Sequence, residues 1–502
     1  MNNIKFKLPG NWKILTVWLL LAILGFSIYA NVLTGGFIWD DEYIVQKNKA
    51  IRDLSGIPLL FMRDINNSKL ETSYSFYRPL VMSVYAIGYS VLGLNVKIYH
   101  FINIFIHILT ALSVYYLVCL LFRNQIASLF CGLLFLVHPV QTEAVAYISG
   151  LADPLSALFI IWSFIFYIEY LRCKKKVYYI FFLISYVLAL FSKENSLILM
   201  PVLLLYHYAF KIKFGIKQFF SILFLALLYL FLRVDFLKAA LPNTDTNQSV
   251  YLLKRIPGFF AAITNYIRIL FLPVDLHMEY GNNLFQVTDL RVIAGAVISS
   301  GLWIYAYINR NKNKLFFFSV SWFFITLLPC SSIYPVLAFY MSEHWLYLPS
   351  IGFFIIISQG LADFYLRKKT KLLTAILVLA LLVAYSLITI KQNNYWKDQV
   401  TFYKRTLKYS PWSPRIYYNL GRVYQHASKY DQAIDMYKKA MEIKPDYGEA
   451  CFNLALVYFE TKQYQQAIEY CDKALKLNYK VAPHFIELLK PYRDKDGLKN
   501  HW

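Results

Sequence analysis

Of the 502 residues, 58% are hydrophobic and 16% charged, at a mean hydropathy of +0.44, which excludes both an ordinary soluble domain (~45–50% apolar) and an intrinsically disordered chain. The formal charge of +22, from 51 Lys and Arg against 29 Asp and Glu, would suit nucleic acid only if the basic residues gathered on one folded face. They fall instead in short gaps between apolar runs and in a polar C-terminal tail, as membrane topology demands, so no nucleic-acid partner is expected.

The first apolar run, Ile14 to Leu33, is too long for a signal peptide and no small-residue cleavage site follows it, so it reads as a retained span. Further runs are Ile98 to Phe122, Gln125 to His138, Pro154 to Leu171, Val177 to Phe191, Ser196 to Phe210, Gln218 to Phe236, Val292 to Ile308, Leu315 to Leu328, Leu346 to Leu366 and Leu372 to Ile390. They predict an all-α, polytopic bundle of about eleven spans over residues 1–390, with a first extracytoplasmic loop over 34–97. Two more apolar stretches, Leu80 to Leu94 and Ile256 to Leu272, are expected to lie flat or re-enter on the outer side. That choice puts Lys5, Lys7, Lys13, Arg123, Arg172, Lys174 to Lys176, Lys211, Lys213, Lys217, Arg310, Lys312, Lys314, Arg367 to Lys369 and Lys371 in the cytoplasm, with the N-terminus. An odd span count then exports everything after Lys391, into a periplasm or extracellular space or into the endoplasmic reticulum lumen.

Residues 391–502 form a second domain built on a 34-residue period, 414–447 and 448–481. Tyr417, Leu420, Gly421, Tyr424, Ala433, Tyr437, Ala440 and Pro445, followed by Cys451, Leu454, Ala455, Tyr458, Ala467, Cys471 and Ala474, occupy tetratricopeptide-repeat positions. Small residues let paired helices approach closely, and aromatics fill the space between stacked units. Trp396 to Tyr409 matches a second repeat helix and Ala482 to Leu489 a capping helix. The six cysteines (119, 131, 173, 330, 451 and 471) show no CxxC or metal spacing and read as packing residues; a Cys451–Cys471 disulfide is the alternative to two apolar fillers. His100, Asn103 and His107 share one face of the second span, where interhelical hydrogen bonds are a better reading than a metal.

Charged residues at the outer ends of spans are costly and call for a function. Six clusters lie there: Phe37 to Glu42 with Asp40 and Asp41; Tyr77-Arg78-Pro79-Leu80; His138 to Ala144 with Glu143; Asp153-Pro154; Ser192 to Asn195 with Lys193 and Glu194; and Ser342 to Trp345 with Glu343 and His344. Paired carboxylates beside Arg78, Lys193 and His344 can deprotonate a hydroxyl and stabilise a phosphate leaving group, the chemistry of glycosyl transfer from a lipid phosphate.

The segments GGFIWDD, YRPL with YHFINIFIHILTALSVYYL, LVHPVQTEAVAYISGLADPLSALF, LFSKEN and SEHWLYLPSIGF, followed by the repeats, resemble the transmembrane and tetratricopeptide-repeat O-mannosyltransferases and their bacterial relatives among the C-type (GT-C) membrane glycosyltransferases. The likeness runs in family order from residue 35 to about 478. It implies a GT-C-like fold and a polyprenyl- or dolichyl-phosphate sugar as donor. It also implies Asp40 as general base, with Asp41 orienting the acceptor or sharing that role. Arg78, Lys193 and His344 are candidates for the donor phosphate; Glu143, Asp153, Glu194 and Glu343 are candidates for sugar hydroxyls or for fixing those cations, and with His138 for sugar or acceptor. Leu151 stands where relatives have Arg, and His344 where many animal members have Arg. No cofactor or metal is expected. A protein Ser or Thr, a glycan or a lipid would each offer the acceptor hydroxyl, the repeats favouring a protein or glycan that they hold, and mannose is one candidate sugar. A non-catalytic membrane scaffold is the competing class; a transporter is disfavoured because the polar clusters lie at one face, not at the midplane.

Overall fold

The computed structural model describes residues 11–62, 77–213, 215–237, 248–281, 283–331 and 339–497, and every regular element among them is helical. Lys5 and Lys7 lie outside the described residues, as do 63–76 of the first loop and 238–247 and 332–338 of later ones. The chain divides into two compact units, Met1–Trp396 and Lys397–Trp502.

The first unit contains α1 (Asn11–Tyr29), α2 (Ile57–Met62), α3 (Pro79–Leu92), α4 (Val96–Phe122), α5 (Gln125–Val137), α6 (Thr142–Ala146), α7 (Ala152–Cys173), α8 (Lys176–Ser192), α9 (Leu199–Phe210), α10 (Ile216–Leu237), α11 (Gln248–Phe271), α12 (Leu290–Ile308), α13 (Lys314–Leu327), α14 (Ser350–Tyr365) and α15 (Lys371–Asn393). It is a largely helical, polytopic membrane protein. Among the described residues six helices are long and apolar enough to cross a bilayer: Leu15–Thr34, Val96–Phe122, Ile148–Cys173, Ile216–Arg233, Leu290–Ile308 and Lys371–Trp396. A seventh arises if the pair broken by 52° between Val137 and Pro139 is one span.

The expected eleven are therefore present as helices but not all at full length. At ~1.5 Å per residue, the 17 residues of α8 reach only about 26 Å of a ~30 Å core. α9, α13 and α14 are shorter still, and each continues into a tight 3₁₀ turn, at Glu194–Ile198, Leu328–Cys330 and Glu343–Leu346. The runs Ser196 to Phe210 and Leu346 to Leu366 thus begin in these turns, before the α-helix does. The turns between helices have local causes. Arg123 takes a left-handed conformation (φ 56°) to end α4, and the Asn124 side chain then caps α5 by accepting from the N–H groups of Ile126 and Ala127 at 3.0 and 3.2 Å.

Polar contacts bind the helices where hydrophobic contrast with lipid is absent. Asn31 donates to Ile390 O (2.9 Å) and Asn394 Oδ1 (3.0 Å), while Asn393 donates to Ile28 O (3.0 Å) and Asn31 Oδ1 (2.9 Å), which ties the first helix to the last. His107 joins Tyr347 Oη (2.7 Å) and Leu136 O (3.1 Å), as interhelical bonding predicts; neither ring nitrogen of buried His100 has a hydrogen-bond partner among the described residues. At Gly295 a side-chain carbon would come within 1.9 Å of Phe260 O, so only glycine allows α11 and α12 to cross there. Five of the six cysteines are buried as expected; Cys173 is exposed, because it ends α7 beside the Lys174–Lys176 run.

The second unit is a stack of α16 (Gln399–Tyr409), α17 (Pro414–His426), α18 (Tyr430–Ile443), α19 (Gly448–Glu460), α20 (Tyr464–Lys476) and α21 (Pro483–Gly497). The repeat residues Leu420, Gly421, Ala433, Ala440, Leu454, Ala455, Ala467 and Ala474 are all buried. The Tyr437 ring lies 2.7 Å from where a Gly421 side chain would begin. Cys451 and Cys471 are buried free thiols, and Cys451 Sγ lies 3.3 Å from Met441 Sδ.

Candidate functional site

Each cluster singled out by charge lies at the same kind of helix end: after α1, α5, α8 and α13, and before α3, α7, α9 and α14. The Asp40 loop leaves α1 through a turn at Ala30–Thr34 and enters a π-type turn at Glu42–Gln46. Between them Trp39 holds a left-handed backbone, φ 51°, unfavourable for a bulky residue. The surroundings enforce it. Asp41 is fully buried, and its carboxylate accepts from Ile38 N–H (3.0 Å), from Ser149 N–H (2.8 Å) and from the Ser149 hydroxyl. The Asp40 N–H donates to Tyr147 Oη at 3.3 Å. Three points of attachment thus surround Trp39, and they leave the Asp40 side chain exposed.

Burial pushes the Asp41 carboxyl from 3.8 up to about 7, against the pull of its Ser149 and Ile38 hydrogen bonds and with help from the Asp40 charge. The turn that receives it is itself anchored: Asn103 donates to Tyr147 O (2.9 Å) and Ile148 O (3.2 Å), and Tyr85 to Ile148 O (2.7 Å). Beneath lies an apolar cluster that includes Val45, Val81, Tyr85, Tyr99 and Leu151.

Next along the chain stand three cations. Lys193 Nζ pairs with Asp153 Oδ1 at 2.6 Å, both largely buried. Arg78 grips Glu194 through Nη2–Oε1 (3.0 Å) and Nε–Oε2 (3.3 Å). Arg233, on α10, adds Nη1 to Glu194 Oε2 at 3.4 Å and donates to Tyr229 Oη at 2.7 Å. Burial raises the Glu194 pKa, but Arg78 and Arg233, with Lys193 further off, hold it well below the usual carboxylate range. The two halves adjoin: the Tyr85 phenol, pushed up by burial, feels Asp41 on one side and Arg78 on the other.

The remaining residues form another cluster. Glu143 accepts from the His344 N–H (2.9 Å) and bonds its ring Nδ1 (2.8 Å). Glu343 accepts from His277 N–H and Tyr280 Oη, both 2.6 Å. His138 is turned inward, its Nε2 at 3.0 Å from Leu270 O and its Nδ1 accepting from Val140 N–H at 3.2 Å. It caps a turn, and both ring nitrogens are engaged.

Residues that sequence reasoning missed are Tyr147 and Ser149, which hold the acidic loop, Arg233, which completes the cation group, and His277 and Tyr280, which hold Glu343. Arg233 carried a signal, a charge inside the run Gln218 to Phe236. His277 and Tyr280 carried none.

Known proteins share much of this chain. A tetratricopeptide-repeat model matches residues 425–488. A protein O-mannosyl-transferase of Caenorhabditis elegans is 26% identical over 433 residues, covering 80% of this chain and 59% of its own. The protein O-mannosyl-transferases TMTC3 of Homo sapiens and tmtc2 of Xenopus laevis are 22% and 24% identical, covering 81% and 83% of this chain and 49% and 61% of theirs. The chain thus spans about half to three fifths of the length of these curated relatives. Among solved structures, ArnT from Cupriavidus metallidurans bound to undecaprenyl phosphate aligns at 12% identity and a TM-score of 0.43, covering 85% of this chain and 76% of that one. The Archaeoglobus fulgidus oligosaccharyltransferase aligns at 12% and 0.42, covering 77% and 56%.

Proposed function

We propose that this protein is an integral membrane glycosyltransferase that moves a sugar from a polyprenyl- or dolichyl-phosphate carrier to a hydroxyl on the extracytoplasmic side. The observation that carries this reading is the division of labour at positions 40 and 41: a buried carboxylate fixes the loop and an exposed one is presented on it, while Arg78 and Lys193 are held by carboxylates at other helix ends. The names of the relatives, protein O-mannosyl-transferases, support the same class and favour mannose and a protein Ser or Thr acceptor.

In this scheme Asp40 takes the acceptor O–H proton as that oxygen forms a bond to the anomeric carbon. The bond from that carbon to the phosphate oxygen breaks, and the lipid phosphate leaves with the electron pair. Arg78, Lys193 and His344 meet its charge; such preorganised charge stabilises the transition state without reorganisation. Glu194 and Asp153 keep Arg78 and Lys193 extended and neutralised until the donor arrives, Glu143 fixes the His344 ring, and Glu343 orients sugar or acceptor. His138 braces the turn that carries Glu143. Phosphate departure from a monophosphate donor is met here by side chains, so the scheme assigns no metal. The N-terminus lies in the cytoplasm, eleven spans cross a bacterial plasma membrane or endoplasmic reticulum membrane, and the repeats hold the acceptor on the far side.

The test is mass spectrometry of exported glycoproteins and surface glycans from cells with wild-type protein, no protein, or Asp40→Asn at equal membrane abundance. A hexose-sized modification lost equally in the null and Asp40→Asn cells is the expected result. The repeat match at 425–488 favours a second reading, a non-catalytic scaffold. It takes the lead if Asp40→Asn cells keep every glycan that the null loses.

A further inference from the structure

Below the cation cluster the surface changes character. Leu183, Ile184, Val187 and Leu188 of α8 and Phe224 and Leu225 of α10 line an apolar groove of about 430 Å³, and Ile184 and Phe224 are exposed on its rim. The groove points along the two helices whose far ends carry the cations. Leu188 is four residues before Ser192, which adjoins Lys193, and Leu225 is eight before Arg233, rises of about 6 and 12 Å at ~1.5 Å per residue.

An aromatic collar fills that interval: the Phe191 ring lies 6.2 Å from Tyr229, 6.3 Å from Tyr77 and 5.2 Å from Phe61. Arg233 extends from the collar, its guanidinium held by Tyr229 Oη and Glu194. Arg78, Arg233 and Lys193 set against Glu194 and Asp153 carry one positive charge more than negative. An apolar channel, an aromatic collar and surplus positive charge, in that order along one helix pair, match a long hydrocarbon chain ending in a phosphate.

We infer that the α8–α10 groove seats the isoprenoid chain of the lipid-phosphate donor and that Arg233 is a further anchor for its phosphate. This rests on the donor proposed above. It adds a route, since the carrier enters sideways from the bilayer between α8 and α10, and a residue that charge clustering at loops did not reveal. Arg233 acts on the donor by exchanging one oxygen of Glu194 for one of phosphate.

The experiment uses the full chain in phospholipid nanodiscs and a polyprenyl phosphate with a photoreactive diazirine in its isoprenoid chain and no sugar. The expected result is labelling of Leu183–Leu188 and Phe224–Leu225 that excess unlabelled polyprenyl phosphate removes and excess phosphatidylglycerol does not. Arg233→Gln is expected to lower that labelling about tenfold, the worth of one charge-assisted hydrogen bond, with Arg233→Lys restoring part of it. The same diazirine on the uncharged polyprenol should label the groove alike in wild type and Arg233→Gln, a readout that mere misfolding would not preserve. Competable labelling confined to other helices overturns the groove and leaves the donor class standing. Labelling in the groove that phosphatidylglycerol removes equally well makes it an ordinary lipid site and overturns the inference. No competable labelling anywhere overturns the donor reading along with it.

Discussion

In the loop at Asp40 and Asp41 charge is divided between neighbours: one carboxylate is sunk beneath Ser149 and the other stands outside. Around Glu194 and Asp153, a short way along the same helix ends, each carboxylate is matched to a cation within 3.4 Å. In the proposed reaction the first arrangement presents the base on an exposed, braced loop. The second keeps cations extended in a region of low dielectric, where unpaired ones would be costly; in the proposed reaction an arriving phosphate takes over part of their coordination. Acid and cation thus wait in different ways, one exposed on a braced loop and the other held in reserve.

The largest effect that would break this contrast is at Asp40. Asp40→Asn should lower transfer about 10³-fold with little change in melting temperature, because the side chain is exposed and the substitution keeps its size. Assays of turnover and thermal unfolding on the same detergent-purified samples check this; a large drop in melting temperature would put Asp40 with the structural group. Next is the reserve. Lys193→Met leaves Asp153 buried without its cation and should cost about 3–5 kcal/mol, whereas adding Asp153→Leu should recover most of the stability but not donor binding. A stability loss that the double variant does not relieve would show that the pair is not the unit.

A pH series then sharpens the loop side. The Asp41 carboxyl titrates near 3.8 when unfolded and about 7 when folded, so the folded state holds an extra proton between those values. The stability it contributes is full below 3.8, declines as pH rises toward 7, and is gone above. The wild-type melting temperature should therefore fall between pH 5 and 7.5 by a few degrees more than that of Asp41→Asn, which cannot titrate. Parallel slopes would remove Asp41 as the cause. The smallest effect is at Tyr147, where Phe deletes the acceptor of the long 3.3 Å bond from Asp40 N–H. A roughly threefold fall in turnover at unchanged donor affinity is expected, the low end for one hydrogen bond.

Much of this was legible in the chain. The repeats declare themselves because each unit demands the same small and aromatic residues at a fixed 34-residue interval, Gly421 against Tyr437 for instance. The acidic loop was legible as a place but not as two roles. Asp40 and Asp41 differ only in what comes to meet them, and Ser149, which decides it, stands 108 residues from Asp41. Arg78 and Glu194 are 116 residues apart, and no local pattern announces that they pair. Arg233 was visible as a charge, yet at the end of an apolar run a charge also serves to anchor a helix at the interface, and composition does not separate the two uses. Span lengths differ for a local reason: an apolar run does not tell turn from helix, and the run read from Leu346 becomes α-helical only at Ser350.

Trp39 carries one more consequence. A bulky residue held at φ 51° stores roughly 1–3 kcal/mol that glycine would not. Trp39→Gly at that position should release the tension and make the folded protein harder to melt, while the acid beside it swings through a wider arc and meets its target less often. Selection for sturdiness alone would discard the tryptophan; its presence there marks a site where aim has been favoured over repose.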